Sequence, residues 1–222
     1  MRPPALPWDK ACVHPSGELL KVHSRRDGGS QAEVVSYRVL GDRVDRLGAN
    51  PPRTPIMTLI DFSPTGEHYL VNTADPHTDP ARQFHLYGTA TDAAVATFER
   101  PRDLVRYAGT RRFSPDGRHL FVAVSWRLLR YNCATGGLPA ASLKVRKSEV
   151  SWNPPIAAHP DGRLLATVED GRAVTFRDAE TLEVLRRYDF AMPTVTCVAF
   201  TPDGTRCVIG NTKGKVLLFD VE

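Results

Sequence analysis

No stretch of this 222-residue chain approaches the roughly 18 consecutive apolar residues that a membrane-spanning helix needs, and none keeps a persuasive 3.6-residue apolar period. The opening Met1-Arg-Pro-Pro-Ala-Leu-Pro-Trp8 has no apolar core and too much proline for a signal helix, so a cytoplasmic protein is expected. Cysteine is scarce: Cys12, Cys133, Cys197 and Cys207, with no CxxC pair, which excludes a zinc knuckle. Cys197 and Cys207 flank the corner Thr201-Pro-Asp-Gly204. With Phe200 set opposite Thr205, alternation points the two thiols to opposite sides of the sheet, so no disulfide is expected between them. Free thiols suit a reducing compartment. HExxH, GxSxG, P-loop, Rossmann and kinase patterns are all missing. Gly28-Gly29 opens no helix that would cradle phosphate. The expectation is therefore a non-enzyme, with no catalytic, cofactor-binding or metal residue assigned.

Charge of one sign is also lacking. Lys and Arg number 29 against 25 Asp and Glu, a net charge of +4, and the two signs are interleaved along the chain. A nucleic-acid binder concentrates its basic residues, so nucleic acid is not an expected partner.

What the chain does have is a repeat. Val13-His-Pro-Ser-Gly17, Phe62-Ser-Pro-Thr-Gly66, Phe113-Ser-Pro-Asp-Gly117, Ala158-His-Pro-Asp-Gly162 and Phe200-Thr-Pro-Asp-Gly204 recur 42 to 51 residues apart. Each is a turn with a mechanism: proline presets φ, Asp or Ser caps the backbone, and glycine takes the positive φ that closes it. A β-rich run follows every corner, among them His119-Leu-Phe-Val-Ala-Val124 and Leu164-Leu-Ala-Thr-Val168. A second polar turn and a third strand come next, as in Ala173-Val-Thr-Phe-Arg177 and Lys215-Val-Leu-Leu-Phe219. A fourth strand is readable in Ala94–Phe98 and Val184–Tyr188. Short strands at this spacing without helices describe a sandwich or a radial repeat.

These motifs resemble the WD-repeat family, in degenerate, bacterial-type form. Its unit runs strand, Ser-Pro-Asp-Gly turn, strand, short turn, strand ending Trp-Asp, then an outer strand. Val195 through Phe219-Asp220 is the best copy and His159–Thr181 the next. The Trp-Asp dipeptide reads as Phe219-Asp220 in the last copy, Phe176-Arg-Asp178 in the fourth and Tyr131-Asn132 in the third. The resemblance implies an all-β, five-bladed β-propeller of four-stranded antiparallel blades forming a single domain over 1–222. The blades fall near 8–50, 51–100, 101–148, 149–190 and 191–222. It also implies a buried Asp-His-Ser-Trp network, but no copy begins Gly-His. Asp170 and Thr167 are its expected remnants in the fourth copy, and packing between blades is expected to be chiefly hydrophobic. The last copy stops after its third strand, so the fifth blade is expected to be three-stranded. Either the ring carries a short blade, or that edge pairs with another chain.

The repeat also assigns the histidines. His14 and His159 share one repeat position and His68 and His119 another, which marks them as turn and strand components rather than ligands. The cluster Asp75-Pro-His-Thr-Asp-Pro80 reads as a surface turn. The family implies a platform that binds a protein or peptide, here an acidic one. The loops opposite the Pro–Gly corners gather Arg53, Arg102, Trp126, Arg127, Trp152, Arg172 and Lys213, the candidate contact residues. A pocket at the ring centre for a small molecule or catalysis, and a self-assembling subunit built on the open edge, are the alternative readings.

Overall fold

The computed structural model describes residues 8–25, 32–50, 57–73, 83–101, 104, 109–124, 127–145, 154–191 and 194–221. The chain is all-β, and its strands form five antiparallel sheets, the strand content of a five-bladed propeller. The first sheet joins β1 (Trp8–Val13), β2 (Leu19–Arg25), β3 (Ala32–Leu40) and β4 (Arg43–Asn50) in sequence order. The second joins β5 (Met57–Phe62), β6 (His68–Thr73), β7 (Phe84–Gly88) and β8 (Ala94–Phe98). The third contains β9 (Thr110–Phe113), β10 (His119–Val124), β11 (Arg127–Asn132) and β12 (Ala141–Lys144). The fourth has β13 (Ile156–Ala158), β14 (Leu164–Glu169), β15 (Ala173–Asp178) and β16 (Val184–Asp189). The fifth has three strands, β17 (Val195–Phe200), β18 (Arg206–Asn211) and β19 (Val216–Asp220). No helix among the described residues is long and apolar enough to cross a membrane.

The five Pro–Gly corners are one structure repeated. Gly17, Gly66, Gly117, Gly162 and Gly204 adopt φ of 77°, 76°, 71°, 76° and 75°. Each donates its N–H to the carbonyl three residues earlier, from Gly17 to His14 at 2.8 Å through Gly204 to Thr201 at 2.9 Å. The second residue of each corner in turn donates to the strand beyond, as His159 does to the Leu164 carbonyl at 2.9 Å. The corner carboxylates brace the same loops. Burial pulls the Asp161 carboxyl upward, but the Arg163 N–H and the His159 ring together hold it below the ordinary Asp value.

The chain divides into two compact units, Met1–Val105 with Ala134–Gly137, and Arg106–Cys133 with Leu138–Glu222. In the first unit β5 packs against β1, β2 and β3, and the core joins Cys12, Val34, Phe62, Tyr69 and Val71. In the second, β13 packs on both β9 and β17. One cluster there, including Phe121, Leu128 and Leu165, lies between the third and fourth sheets. Another, with Ala166, Phe176, Cys207 and Ile209, lies between the fourth and fifth.

Register corrects one expectation. Phe200 pairs with Cys207 rather than Thr205, and Val198 with Ile209. An irregularity between Val195 and Cys197 shifts the ladder upstream. The consequence for the thiols is unchanged: Cys207 is buried, Cys197 is exposed, and all four cysteines are free.

Candidate interaction surface

The packing between sheets is less apolar than the absence of Gly-His from the repeats leads us to expect. Lys21, on β2, is 1% exposed; its ammonium donates to Ser36 Oγ at 2.8 Å and to Asp92 Oδ1 at 2.6 Å. Tyr69 donates to the same carboxylate oxygen at 2.8 Å, and the Lys21 ammonium sits 4.2 Å from its ring centre. Asp92 belongs to the turn between the third and fourth strands of the second sheet, so a carboxylate from one sheet meets a buried cation on its neighbour. The same relation recurs in the second unit. Arg130 on β11 contacts Glu180 Oε1 at 2.5 Å, and Glu180 lies in the turn between β15 and β16. These ionic ties accompany the hydrophobic clusters, because a buried cation without a carboxylate would be too costly to keep.

The fourth sheet corrects the expected Trp position. Ladder register aligns Tyr37, Tyr87, Tyr131, Arg177 and Phe219 as one column, opposite Leu20, Tyr69, Leu120, Leu165 and Cys207. Arg177, one residue beyond the expected Phe176, therefore stands where the other four sheets carry an aromatic ring. Its guanidinium is buried. It pairs with Glu169, donates from Nε to Thr167 Oγ1 at 3.4 Å and from Nη1 to the Leu182 carbonyl at 2.9 Å. Thr167 thus does belong to a buried network. The Asp170 carboxylate pairs with Arg187 at 3.2 Å, with both side chains half-buried.

Arg127, Arg172 and Lys213 stand where second strands turn into third strands, at the same end of the three sheets of the second unit. Arg127 opens β11 and donates from Nη1 to Ser142 Oγ at 3.1 Å. Arg172 and Lys213 are exposed, in the turns after β14 and β18. Neither side chain has a partner among the described residues. Glu169 and Asp170, the nearest acidic residues in sequence to Arg172, are engaged by Arg177 and Arg187. Arg53, Arg102, Trp126 and Trp152 lie outside the described residues, as does the Asp75–Pro80 cluster.

Sequence reasoning missed a groove between the fourth and fifth sheets. It has a volume of about 350 Å³ and is lined by Leu164, Phe176, Leu185, Arg186, Tyr188 and Val221. Its floor continues into an aromatic cluster in which Phe219 lies 4.8 Å from Phe190 and 6.1 Å from Tyr188, centre to centre. The signal available was the apolar content of Val184-Leu-Arg-Arg-Tyr188, which read only as a fourth strand. In the structure every residue of β16 is exposed.

Two thiols carry little nucleophilic character at neutral pH. Burial pushes Cys207 up to about 12, and burial with the nearby Asp116 carboxylate pushes Cys133 to about 12 as well. Among the described residues, no group of three or more His, Cys, Asp or Glu side chains is placed to hold a metal ion.

Comparison with known proteins agrees with this geometry. The family model described as WD domain, G-beta repeat matches residues 185–220, from the outer strand of the fourth sheet to the third strand of the fifth. The chain is also 32% identical over 103 residues to the Periodic tryptophan protein 2 homolog of Neurospora crassa. That match covers 46% of this chain and spans only 11% of the relative's length. WD repeats generally build non-catalytic modules that bind other proteins.

Proposed function

We propose that this chain is a non-enzymatic interaction module that binds a protein or peptide partner at the ends where second strands turn into third strands. The observation that carries the reading is the imbalance in the second unit. There the acidic neighbours Glu169 and Asp170 are engaged by Arg177 and Arg187, while Arg172 and Lys213 are exposed and without partners among the described residues. Arg127 lies at the same end. Arginine and lysine so placed offer directed donors to carboxylates, which makes an acidic segment the complementary ligand. The WD repeat over 185–220 supports the module class. The buried, protonated thiols of Cys133 and Cys207 supply no nucleophile to a competing catalytic reading.

The test is capture on an array of acidic, neutral and basic synthetic peptides, comparing the natural chain with Arg172→Glu/Lys213→Glu. Preferential capture of acidic peptides, lost in the double variant while its circular dichroism stays unchanged, supports the reading. An unchanged capture pattern removes it.

A further inference from the structure

At each Pro–Gly corner the side chains before and after the proline meet, and in four of the five corners a hydroxyl supplies the proton between them. His14 Nδ1 lies 2.8 Å from Ser16 Oγ, and Ser63 Oγ lies 3.1 Å from Thr65 Oγ1. Ser114 Oγ is 2.5 Å from Asp116 Oδ1, and Thr201 Oγ1 is 2.5 Å from Asp203 Oδ1. The fourth corner alone sets an imidazole against a carboxylate, with His159 Nδ1 2.7 Å from Asp161 Oδ1. An ionised carboxylate has no proton to give, so the ring supplies it. Asp161 is ionised at neutral pH: burial pulls its carboxyl upward, but the Arg163 N–H and the His159 ring outweigh that pull.

The other ring nitrogen faces a second acceptor, for His159 Nε2 stands 2.9 Å from the Gly204 carbonyl oxygen of the next corner. A neutral imidazole carries one N–H and can bond the carboxylate or the carbonyl; an imidazolium bonds both. The Asp161 N–H, 3.2 Å from Nδ1, suits a neutral ring, but a bare nitrogen would then face the carboxylate oxygen at 2.7 Å. His14 meets no such conflict. Its Nε2 donates to the Gly66 carbonyl at 3.0 Å, while Nδ1 accepts from the Ser16 hydroxyl and from the Ser16 N–H at 3.1 Å. A neutral ring satisfies every one of those partners. Around His159, β17 contributes the edge of Phe200, and the fifth corner contributes Gly204. Asp203 of that corner is occupied by Thr201 and Thr205, and Arg163 sets its N–H and its positive charge beside Asp161. At 13% exposure the His159 side chain has little water to replace a lost partner.

We infer that His159 is a proton-dependent latch between the corners of the fourth and fifth sheets. Its imidazolium holds the Asp161 carboxylate and the Gly204 carbonyl together. On losing one proton the ring keeps the carboxylate, the stronger acceptor, and gives up the carbonyl. The latch is closed on the acid side of histidine's ordinary range, about 6.5, and opens as pH rises through it. His14, at the same repeat position with serine in place of aspartate, stays closed throughout. The inference uses none of Arg127, Arg172 or Lys213, so it stands or falls apart from the binding surface proposed above.

The test is amide hydrogen exchange on the full chain from about pH 5.5 to about pH 8, either side of histidine's range. Protection factors, which remove the intrinsic base catalysis of exchange, are compared at two corners. In the fifth, the Gly204 and Thr201 N–H groups donate to Thr201 and Arg206; in the second, those of Gly66 and Ser63 donate to Ser63 and His68. Protection in the fifth corner is expected to fall about tenfold as pH rises, the worth of one hydrogen bond to a charged group, while the second corner holds level. Asp161→Ser gives the fourth corner the His–Ser pair of the first, and is expected to remove the pH dependence while keeping the protection. Should that variant not fold, His159→Gln, which has no ring to titrate, is expected to remove the dependence as well. Fifth-corner protection that is level with pH in the natural chain, or that falls equally in the second corner, overturns the proposal. So does a fall that survives in Asp161→Ser or His159→Gln.

Discussion

His159 donates from Nε2 to the carbonyl oxygen of Gly204 at 2.9 Å, tying the corner of the fourth sheet to the corner of the fifth. Its Nδ1 stands 2.7 Å from Asp161 Oδ1 and 3.2 Å from the Asp161 backbone nitrogen, and its ring meets Phe200 edge-on at 4.9 Å. His14 repeats the arrangement with the Gly66 carbonyl at 3.0 Å and Phe62 at 5.2 Å. The shared repeat position of the two histidines therefore marks a pin between adjacent sheets. In the other corners Ser63, Ser114 and Thr201 bond within their own turns.

The pin makes two equivalent glycines unequal. A Cβ at Gly204 would lie 2.5 Å from the His159 ring, whereas one at Gly162 would meet nothing within 4 Å. Both have positive φ, so each alanine variant carries a backbone cost of about 1–2 kcal/mol. Gly204→Ala is expected to destabilise more than Gly162→Ala in urea unfolding, and the excess is expected to vanish in a His159→Ala background. His159→Ala alone is expected to cost about 1 kcal/mol.

Removing Arg177 leaves Glu169 buried and unpaired. Arg177→Met is expected to lose about 3–5 kcal/mol. Arg177→Met/Glu169→Met is expected to recover most of that loss, because both desolvated charges go together. Denaturation midpoints of the two variants check the asymmetry.

Lys21 and Asp92 form an unequal pair, with side chains 1% and 36% exposed. Asp92→Asn strands an ammonium in the interior, while Lys21→Met leaves a carboxylate that still reaches water. The expected order of melting temperatures is natural chain, then Lys21→Met, then Asp92→Asn, read by circular dichroism.

The turn carboxylates give the chain an acid limb. The Thr181 N–H above all, at 2.7 Å and joined by the Glu180 N–H, holds Asp178 below its ordinary value of 3.8. Asp203 is lowered chiefly by the Thr201 hydroxyl. Asp116 is lowered too; burial opposes the shift, but hydrogen bonds from Ser114 and Arg118 outweigh it. Depressed carboxyls contribute stability that is fully present above the unfolded value and lost as pH falls through the folded one. Stability is expected to decline below about pH 4. The difference between the natural chain and Asp178→Asn is expected to shrink toward zero as Asp178 protonates, measured by urea titration across that range.

The strands, the corners and the short fifth sheet were legible because proline and glycine fix the turns, and turns fix where strands begin. Registers were less legible. A one-residue slip separates Phe176 from Arg177 and a two-residue slip Thr205 from Cys207, and nothing in local composition distinguishes the settings. The burial of Lys21 and Arg177 was not legible, since it depends on carboxylates 71 residues away for Lys21 and 8 for Arg177. The groove was hidden for a related reason. Val184–Tyr188 has the apolar content of a covered strand, and only the packing shows it exposed. Of the candidate contact residues, Arg127, Arg172 and Lys213 lie where the turn geometry puts them. The part each plays is a matter for the capture experiment.

The open fifth sheet is tested most directly by residue-resolved amide hydrogen exchange on the free chain. Leu217 and Phe219 are expected to be protected by β18, while Val216, Leu218 and Asp220 exchange at rates close to those of open turns. Uniform protection along β19 would mean that its outer edge is already paired, which would contradict a three-stranded fifth sheet.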